Sequence, residues 1–506
     1  MIRSEIVKTL VAMLVVLTAG GAAMAAELVV DQKSPAASDE NRGTAEKPLK
    51  TISAAVAKVQ AGDTVTVKAG SYGELVKIAA SGAAEKPITL RAAAGAAVTV
   101  SGAKAGITWT AGAGHLAISG FTLTGGANLG SAEKGGHHVL VTDCVVVGGA
   151  IRLGGQSDCV VRHCVQTGAK GNGVSLNGCK NCTVEECEVF ANGADGIVVT
   201  FNSDGCKVLR NYVHNHWNEN HPDGIQVYRT VTNFTVEDNL FFNSGQGFML
   251  EETDKGVFRN NMVVGTHNSG MILGHQNSHN WTVEQNTFAY TAYKAFTYSG
   301  KGTVLRNNVI LAGGDNKIVA QAGRDPIVSD YNLYWKADGN SGIQVGEGQD
   351  THSKVGDPKF RSAPALGRQA VFYIDVWGDK ESAAKSTVGR LCIGTVVGRP
   401  LTGSFKAGDH VEVNFDGRLR KVTEVTESTV AFDPPLAAMH KYPWETMVNW
   451  KDKTEAAWDC RLADDSPGKK MGDKGQDVGS SINMPAYMKG DFNGDGKRDL
   501  PELPKE

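Results

Sequence analysis

A short motif recurs about every 23 residues in the middle of this chain. Its copies begin at Asn172, Asp195, Asp223, Gln246 and Ser269, so the successive steps are 23, 28, 23 and 23 residues. Each copy is a small or polar residue, a glycine and then alternating apolar positions, as in Asp223-Gly-Ile-Gln-Val227. A fixed period of this size is typical of stacked supersecondary units, and period-two alternation predicts strands. The sequence therefore predicts an all-β fold, a parallel β-helix in which each coil contacts only its neighbours.

A second element keeps step with the first and predicts a column of equivalent residues along the solenoid. It reads Val-x-x-Cys or Val-x-x-Asn and ends at Cys187, Asn211, Asn239, Asn286 and Asn307. Seven of the nine cysteines lie between residues 144 and 206, in step with these coils. Neighbouring coils lie roughly 4.8 Å apart, which permits disulfides. The alternative that we favour is a column of buried thiols that pack like small apolar side chains.

The N-terminus has the pattern of an export signal. Arg3 and Lys8 precede an apolar run over 10–17, and Ala23-Met24-Ala25 has the form of a cleavage site. We therefore expect residues 1–25 to be a signal peptide and the mature protein to be secreted or periplasmic, with no membrane segment after cleavage; the alternative is an uncleaved membrane anchor. A net charge of −3 argues against a nucleic-acid partner.

The period predicts how the chain is divided. Residues 26–364 are expected to form the β-helix, opened by an amphipathic capping helix in which Leu49, Ile52, Val56 and Val59 share one face and Gly62 stops the run. Residues 365–455 break the period and are expected to form an inserted small β-domain. Residues 456–485 are expected to close the solenoid as a last coil, and 486–506 form a C-terminal segment that resembles a calcium-binding loop.

The lead-in and the first coils resemble exported, pectate lyase-like, right-handed parallel β-helix proteins that act on carbohydrates. The matching stretches are Gly43-Thr44, Pro48-Leu49, Gly62-Asp63, Gly70-Ser-Tyr72 and Lys86-Pro87-Ile88-Thr89. The resemblance implies three strands in each coil, with the asparagine column at the turn between the second and the third. It also implies that Asp223-Gly-Ile-Gln-Val227 is a first strand, the strand that lines the substrate groove. The active-site motifs of mannuronan epimerases and polygalacturonases are absent.

One coil is longer than the others, and its extra residues precede Asp223. The added segment, 214–223, contains three of the 13 histidines and Trp217, which could stack on a sugar ring. Alternation directs Gln226 and Tyr228 outwards. The candidate catalytic residues are His216, His221, Asp223, Tyr228, Arg229 and Glu251. The candidate substrate-binding residues are Trp217, Gln226, Asn177 and His275.

These residue types suit β-elimination from a uronate-containing polysaccharide, our first hypothesis. Arg229 or a bound cation would neutralise the carboxylate, His216 or His221 would be the base, and Tyr228 would be the acid. A glycoside hydrolase that uses Asp223 and Glu251 is a second hypothesis. A non-catalytic glycan-binding surface protein is a third. The sequence leaves the oligomeric state open.

Two further groups of residues have competing interpretations. His267, His275, His279 and Trp281 form a second cluster, in which His275 and His279 could extend the site or bind a metal with Glu251; a structural ladder is the favoured interpretation. Near the C-terminus, the spacing D-x-[DN]-x-[DN]-G-x5-E predicts a structural calcium site. Its expected ligands are Asp491, Asn493, Asp495, Lys497, Asp499 and Glu502.

Overall fold

A computed structural model describes most of the chain. The described residues are 25–102, 106–109, 112–129, 135–216, 222–275, 277–298, 300–313, 319–321, 327–336, 349–367, 369–373, 380–392, 401–439 and 444–504. They form three long parallel sheets, which we call the first, second and third sheets in the order in which a coil uses them. The predicted signal peptide lies almost entirely outside the described residues.

The three sheets share the same coils, because each strand pairs in parallel with its equivalent one coil away. The strands of the first sheet are Val76–Ile78, Ile107–Trp109, Ala127–Leu129, Ile151–Gly154, Val174–Asn177, Ile197–Thr200, Asp223–Tyr228, Gln246–Glu251, Met271–His275, Phe296–Tyr298 and Val319–Gln321. Those of the second are Glu27–Val30, Thr64–Val67, Ile88–Ala92, Gly114–Ser119, His137–Thr142, Val160–Arg162, Thr183–Glu185, Lys207–Leu209, Val231–Thr232, Thr235–Glu237, Thr253–Arg259, His279–Glu284, Val304–Arg306 and Val328–Asp330. Those of the third are Gly70–Tyr72, Val98–Ser101, Thr122–Thr124, Val145–Val147, Val165–Thr167, Glu188–Phe190, Tyr212–His216, Leu240–Ser244, Met262–Val264, Thr287–Ala289, Val309–Leu311, Leu333–Trp335 and Lys354–Val355. The predicted parallel β-helix is confirmed.

The interior is filled by alternate residues of all three sheets. Phe258, from the second sheet, stacks on Phe248 of the first sheet with ring centroids 4.7 Å apart. It also lies between Phe241 and Phe288 of the third sheet, at 6.2 and 6.0 Å. All four rings are fully buried. Stacked aromatic rings therefore tie successive coils together across the core.

A short helix covers the apolar end of the first coils, as predicted. It spans Ile52–Val56, and the Thr51 hydroxyl caps it by accepting the backbone N–H of Ala54 at 3.1 Å. The Glu74 carboxylate accepts the N–H groups of Ile52 and Ser53, at 2.9 and 2.8 Å. These contacts satisfy the free donors of the first turn, while Ile52 and Val56 face the core.

A buried asparagine ladder follows the turn between the second and third sheets. Asn261 is typical: its side-chain oxygen accepts the N–H of Asn239 at 3.0 Å, and its amide nitrogen donates to the Val236 carbonyl at 2.9 Å. The prediction was wrong by one residue at one coil. The ladder residue there is Asn308, and Asn307 lies at a left-handed position with φ 58°.

Cysteines occupy the ladder position on the earlier coils. The Cys164 thiol donates to the Arg162 carbonyl at 3.2 Å, and the Cys187 N–H donates to the Asn211 side chain at 3.0 Å. All nine cysteines are buried, and none of them forms a disulfide. The thiol column, the favoured interpretation, is the arrangement observed.

A six-stranded antiparallel sheet follows the solenoid. Its strands, in spatial order, are Gln369–Tyr373, Trp444–Lys451, His410–Val413, Leu419–Val425, Thr429–Asp433 and Arg390–Cys392. The helix Lys380–Lys385 and the 3₁₀ turn Leu401–Gly403 lie between its strands in sequence. Phe415 and Trp450 of this region share an apolar cluster with Tyr212 and Phe242, whose side chains project from the third sheet. We call this region the inserted sheet.

The closing coil predicted at 456–485 is not a coil of the solenoid. Asp459–Leu462 pairs antiparallel with Phe360–Ser362, whereas a further coil would add parallel strands. The chain then runs back over the outer face of the third sheet and includes the short helix Met484–Tyr487. It contacts successively earlier coils. Gly479 forms a hydrogen bond to Asn307, and Ser480 forms hydrogen bonds to Thr287 and Asn260. Further along, Arg498 pairs with Glu188, and Leu500 packs against Val145 and Val165. We call residues 459–504 the C-terminal strap. It takes this path because apolar side chains of the third sheet face outwards there and need a cover.

No helix among the described residues is both long enough and apolar enough to cross a bilayer.

Candidate functional site

The outward columns of the first sheet follow the predicted alternation. In strand Asp223–Tyr228, Ile225 and Val227 are fully buried, whereas Gln226 and Tyr228 are half-buried. Gln226 lies between Val198 and Met249 of the neighbouring coils. A further outward column contains Asn177, Thr200 and Tyr228 in register. The predicted outward orientation of Gln226, Tyr228 and Asn177 is therefore confirmed.

Three of the predicted site residues come together where the first-sheet strands end. Val227 is in register with Leu250, so Tyr228 and Glu251 follow at the same end of adjacent strands, where the second strand has a register shift between Leu250 and Glu251. Arg229 follows directly in a left-handed turn with φ 62° and is exposed. The group therefore combines a phenol, a guanidinium and a carboxylate.

An exposed phenylalanine completes this group, and the sequence analysis missed it. The Arg229 guanidinium carbon lies 4.5 Å from the ring centroid of Phe201 and 5.2 Å from that of Tyr228. Phe201 is 41% exposed, although large apolar side chains are usually inside. Phe201 follows Thr200 in the sequence, and Thr200 is in register with Tyr228. The repeat alignment could therefore have located Phe201 at the same end of the neighbouring strand. We call Phe201, Tyr228, Arg229 and Glu251 the edge cluster.

Asp223 is remote from the edge cluster. It begins its strand opposite Gln246, five residues before Tyr228, so the strand rise separates it from Glu251 by roughly 16 Å. Its side chain is buried, and its N–H donates to the Asp195 carboxylate at 2.9 Å. Paired glycosidase carboxylates lie about 5 to 9.5 Å apart. The structure therefore contradicts the predicted Asp223 and Glu251 pair.

His216 is also wrongly predicted as a catalytic base. It is fully buried at the end of a third-sheet strand, where its Nε2 lies 3.1 Å from the Val189 carbonyl and its Nδ1 accepts the Asn192 N–H at 3.4 Å. Burial lowers the pKa of His216 to about 3. A neutral imidazole enclosed between coils has no access to substrate, so its role is structural.

The other predicted site residues are only partly described. Trp217 and His221 lie outside the described residues, so their predicted roles stay predictions. For His275 only the backbone is described, and it is in register with Glu251.

In the second histidine group, His267, His279 and Trp281 have structural contacts, in agreement with the favoured interpretation, whereas the side chain of His275 lies outside the described part of the structure. His267 is buried, with Nε2 2.8 Å from the Asn243 side chain and Nδ1 3.3 Å from the Thr446 hydroxyl of the inserted sheet. Trp281 lies in the core and donates to the Thr253 hydroxyl at 2.9 Å. His279 accepts the Lys301 N–H at 3.0 Å.

The buried histidines give a pH prediction. Burial also lowers the pKa of His267 to about 3, whereas the unfolded side chain titrates near 6.5. Both imidazoles are neutral in both states above pH 6.5; below it the unfolded chain takes up the protons first. The contribution of the two histidines to stability is thus fully present above pH 6.5 and is lost as the pH falls towards 3, by roughly 2 kcal/mol per histidine at about pH 5.

Urea unfolding followed over this pH range checks the prediction. The double substitution His216→Gln and His267→Gln is expected to lower the slope of stability against pH between about 5 and 6.5 relative to the wild type. The buried Glu412, whose pKa is raised to about 7, contributes to this slope with the opposite sign, but equally in both proteins, so its contribution cancels in the comparison. A variant that keeps the wild-type slope would contradict it.

A cavity of about 930 Å³ lies between the third sheet and the inserted sheet. It is bordered by Glu412, whose pKa burial raises to about 7. Its carboxylate oxygens accept the indole N–H groups of Trp450 and Trp458, at 2.8 and 3.0 Å, and the Gly417 N–H at 2.8 Å. Glu412 is itself fully buried. Glu412 therefore holds the two tryptophan side chains in place. Because its carboxylate is buried and accepts these hydrogen bonds, we assign the cavity no catalytic role.

The predicted calcium loop is folded compactly on the C-terminal strap. The Asp491 carboxylate accepts the N–H groups of Gly494 and Gly496, at 2.7 and 2.9 Å. The Asn493 side chain donates to Asp499 at 2.7 Å. Gly496 has φ +84°, as the predicted turn requires. Glu502, the last of the predicted ligands, is exposed. The oxygen donors Asp491, Asn493, Asp495 and Asp499 suit calcium.

Comparisons with known proteins agree with this architecture. The protein YwoF of Bacillus subtilis (strain 168), which is uncharacterised, is 44% identical over 69 residues, which span 14% of this chain and 15% of that protein. The structure of XylC in complex with xylose is 12% identical, covers 68% of this chain and 88% of its own, and superposes with a TM-score of 0.50. The pectate lyase Pel9A is 15% identical, with coverages of 67% and 83% and a TM-score of 0.41.

The family assignment rests on the solenoid coils themselves. The model of the right-handed β-helix region matches residues 105–288 and 223–367, which together span just over half of the chain. These residues contain the first-sheet strands that carry the edge cluster. This protein belongs to the right-handed β-helix family.

Proposed function

We propose that this protein is a carbohydrate-active enzyme, and more specifically a polysaccharide lyase that cleaves a uronate-containing glycan by β-elimination along the first sheet. The observation that carries the proposal is the edge cluster. A phenol, a guanidinium and a carboxylate lie on adjacent coils of one sheet, with an exposed aromatic ring beside them. Aromatic rings and charged side chains in outward columns suit an acidic sugar chain.

Each step of the elimination has a candidate residue. Arg229 would pair with the uronate carboxylate and stabilise the negative charge that develops when the adjacent proton is removed. His221 stays the candidate for the base that removes this proton. Tyr228 would donate its phenolic proton to the leaving glycosidic oxygen. The C–H electron pair forms the new double bond as the C–O bond breaks, so no other reactant is needed.

The rival functions make different predictions. A hydrolase built on Asp223 and Glu251 is not supported, because about 16 Å separates the two positions along the strands. A glycan-binding protein without turnover would use the same outward columns. Digestion of a panel of acidic and neutral polysaccharides separates these functions.

A lyase is expected to release products that carry a double bond conjugated to the carboxylate, which is seen as new ultraviolet absorbance. Reducing ends without this absorbance would contradict elimination and indicate hydrolysis. Binding to a glycan that is never cleaved would contradict an enzymatic function.

The proposed setting is extracytoplasmic, with a polysaccharide as the partner. Residues 1–25 would direct export and be removed, which agrees with a fold whose first strand is Glu27–Val30. Ala26 already belongs to the folded domain, because the backbone N–H of Ala26 donates to the Asp63 carboxylate at 2.8 Å.

We also propose that the loop 491–502 binds calcium as a structural ion. Its ligands would fasten the C-terminal strap, since Arg498 in the same loop pairs with Glu188 of the third sheet. Calcium at about 1 mM is expected to raise the unfolding temperature by a few degrees, and a chelator should reverse the shift. Asp491→Ala should abolish the shift, whereas Asp465→Ala, at an exposed aspartate of the strap, should keep it. An equal response in both variants would contradict the site.

A further inference from the structure

Three histidines converge on the outer face of the second sheet, far along the solenoid from the edge cluster. His115 lies in strand Gly114–Ser119, and His137 and His138 begin the next strand. A ligating nitrogen from each ring lies within 4.8 Å of the other two. Among the described residues, this is the only group of three or more histidine, cysteine or acidic side chains gathered so closely. The group contains three of the chain's 13 histidines.

The local backbone brings these rings to one side. Consecutive residues of a strand normally face opposite ways. His138 has φ 53°, which breaks the alternation and brings its Nδ1 to within 3.0 Å of the Nδ1 of His137. His115 has φ 52°, and its ring stacks on His138 at 4.8 Å. The equivalent positions on the next two coils are Asp158 and Asn181, which also adopt left-handed conformations.

The cluster exceeds what the backbone needs at these positions. Asparagine, aspartate and histidine are all enriched in the left-handed region, and Asp158 and Asn181 satisfy the same turn on the next two coils without an imidazole. Gly114 also makes room for the cluster: a Cβ atom there would lie 2.6 Å from Cε1 of His137 and 2.8 Å from each ring nitrogen. The His137 ring therefore packs directly against the backbone of Gly114, and the side chain of any larger residue at this position would clash with it.

We propose that His115, His137 and His138 bind a divalent transition-metal ion such as Zn²⁺ through three imidazole nitrogens, with the fourth position open to solvent. Imidazole is a preferred ligand of zinc, copper and nickel. Tetrahedral zinc with Zn–N bonds of about 2.0–2.1 Å separates its nitrogen ligands by roughly 3.4 Å. The Nδ1 atoms of His137 and His138 are 3.0 Å apart, and all three ligating nitrogens lie within 4.8 Å of one another. The ion would join two consecutive coils.

The number of ligands suits an open metal site. Each neutral imidazole offers one ring nitrogen to an ion. Three protein ligands and one open position are also typical of zinc sites that hold a water or a substrate group.

Calorimetric titration of the full mature protein with Zn²⁺, in calcium-containing buffer, tests the proposal. The wild type is expected to bind one equivalent at this site, and His138→Asn to bind at least about 100-fold more weakly. Asparagine suits the left-handed backbone, as at Asn181, so this variant should fold. The matched control is His279→Asn, at the position equivalent to His137 on a later coil, and it should bind as the wild type does.

Cobalt substitution excludes the buried cysteines as the source of binding. Co²⁺ at an all-imidazole site gives visible d–d bands without the intense near-ultraviolet thiolate band that cysteine ligation adds. The visible bands should appear with one equivalent in the wild type and disappear in His138→Asn. The proposal would be overturned by wild-type affinity in His138→Asn, by no zinc binding to the wild type, or by a thiolate band that persists in the variant.

Discussion

Replacing Tyr228 by phenylalanine is expected to lower turnover of the preferred glycan by roughly 100- to 10,000-fold while leaving the fold intact. The substitution removes only the hydroxyl, which is the proposed proton donor to the leaving oxygen. The ring stays in its outward column, between Thr200 and the strand that carries Glu251, and stays close to Arg229. Substrate affinity should therefore change much less than turnover.

Tyr293 provides the matched control for this substitution. It is 39% exposed, and the Lys294 ammonium lies 4.9 Å from its ring centroid, as Arg229 lies over Tyr228. Tyr293→Phe removes the same atom from a similar surface environment and should leave kcat unchanged. The measurement is the initial rate of ultraviolet-absorbing product formation at saturating glycan. Equal kcat values for Tyr228→Phe and the wild type would refute the assignment of the acid.

Replacing Phe258 by alanine is expected to lower the free energy of unfolding by about 3–5 kcal/mol. The ring is fully buried and contacts three other phenylalanines drawn from the first and third sheets. Its loss leaves a cavity that the surrounding strands cannot close, because each is held in register by its neighbours on both sides. Coils on either side of the cavity would lose part of their shared interface.

Urea unfolding followed by circular dichroism measures this effect. Val328→Ala is the control, since that side chain is 59% exposed in a strand of the same sheet, and its removal should cost less than about 0.5 kcal/mol. A loss below about 1 kcal/mol for Phe258→Ala would mean that the aromatic stack does not hold the coils together.

Much of the solenoid follows from local rules that the sequence displays directly. Alternation in Asp223-Gly-Ile-Gln-Val227 separates the buried Ile225 and Val227 from the outward Gln226, since a strand has a period of two. The repeat then transfers this orientation from coil to coil, and so aligns Asn177 with Tyr228. Where the repeat was aligned one residue early, at Asn307, the ladder prediction was wrong by that same residue.

The candidate site was less predictable than the solenoid. The repeat aligns Asp223 with Gln246, five residues before Glu251, so the predicted pairing of the two carboxylates neglected the rise along the strand. His216 is different, because it appears polar and accessible in the sequence, yet it enters the space between two coils and its Nε2 lies 3.1 Å from the Val189 carbonyl. That outcome depends on contacts between residues more than 20 positions apart, which no local pattern displays.

The sequence by itself determined the architecture, the inward and outward positions and the capping helix, because each of these follows from periodicity over a few residues. Only the tertiary structure decided the path of the C-terminal strap, the edge cluster with Phe201 and the convergence of His115, His137 and His138. The strap carries no repeat, and its course depends on apolar side chains of the third sheet that face outwards and must be covered. The histidine cluster depends on left-handed backbone conformations that no local sequence pattern predicts. It also depends on the stacking of coils, which brings the rings of His115 and His138, 23 positions apart, into contact.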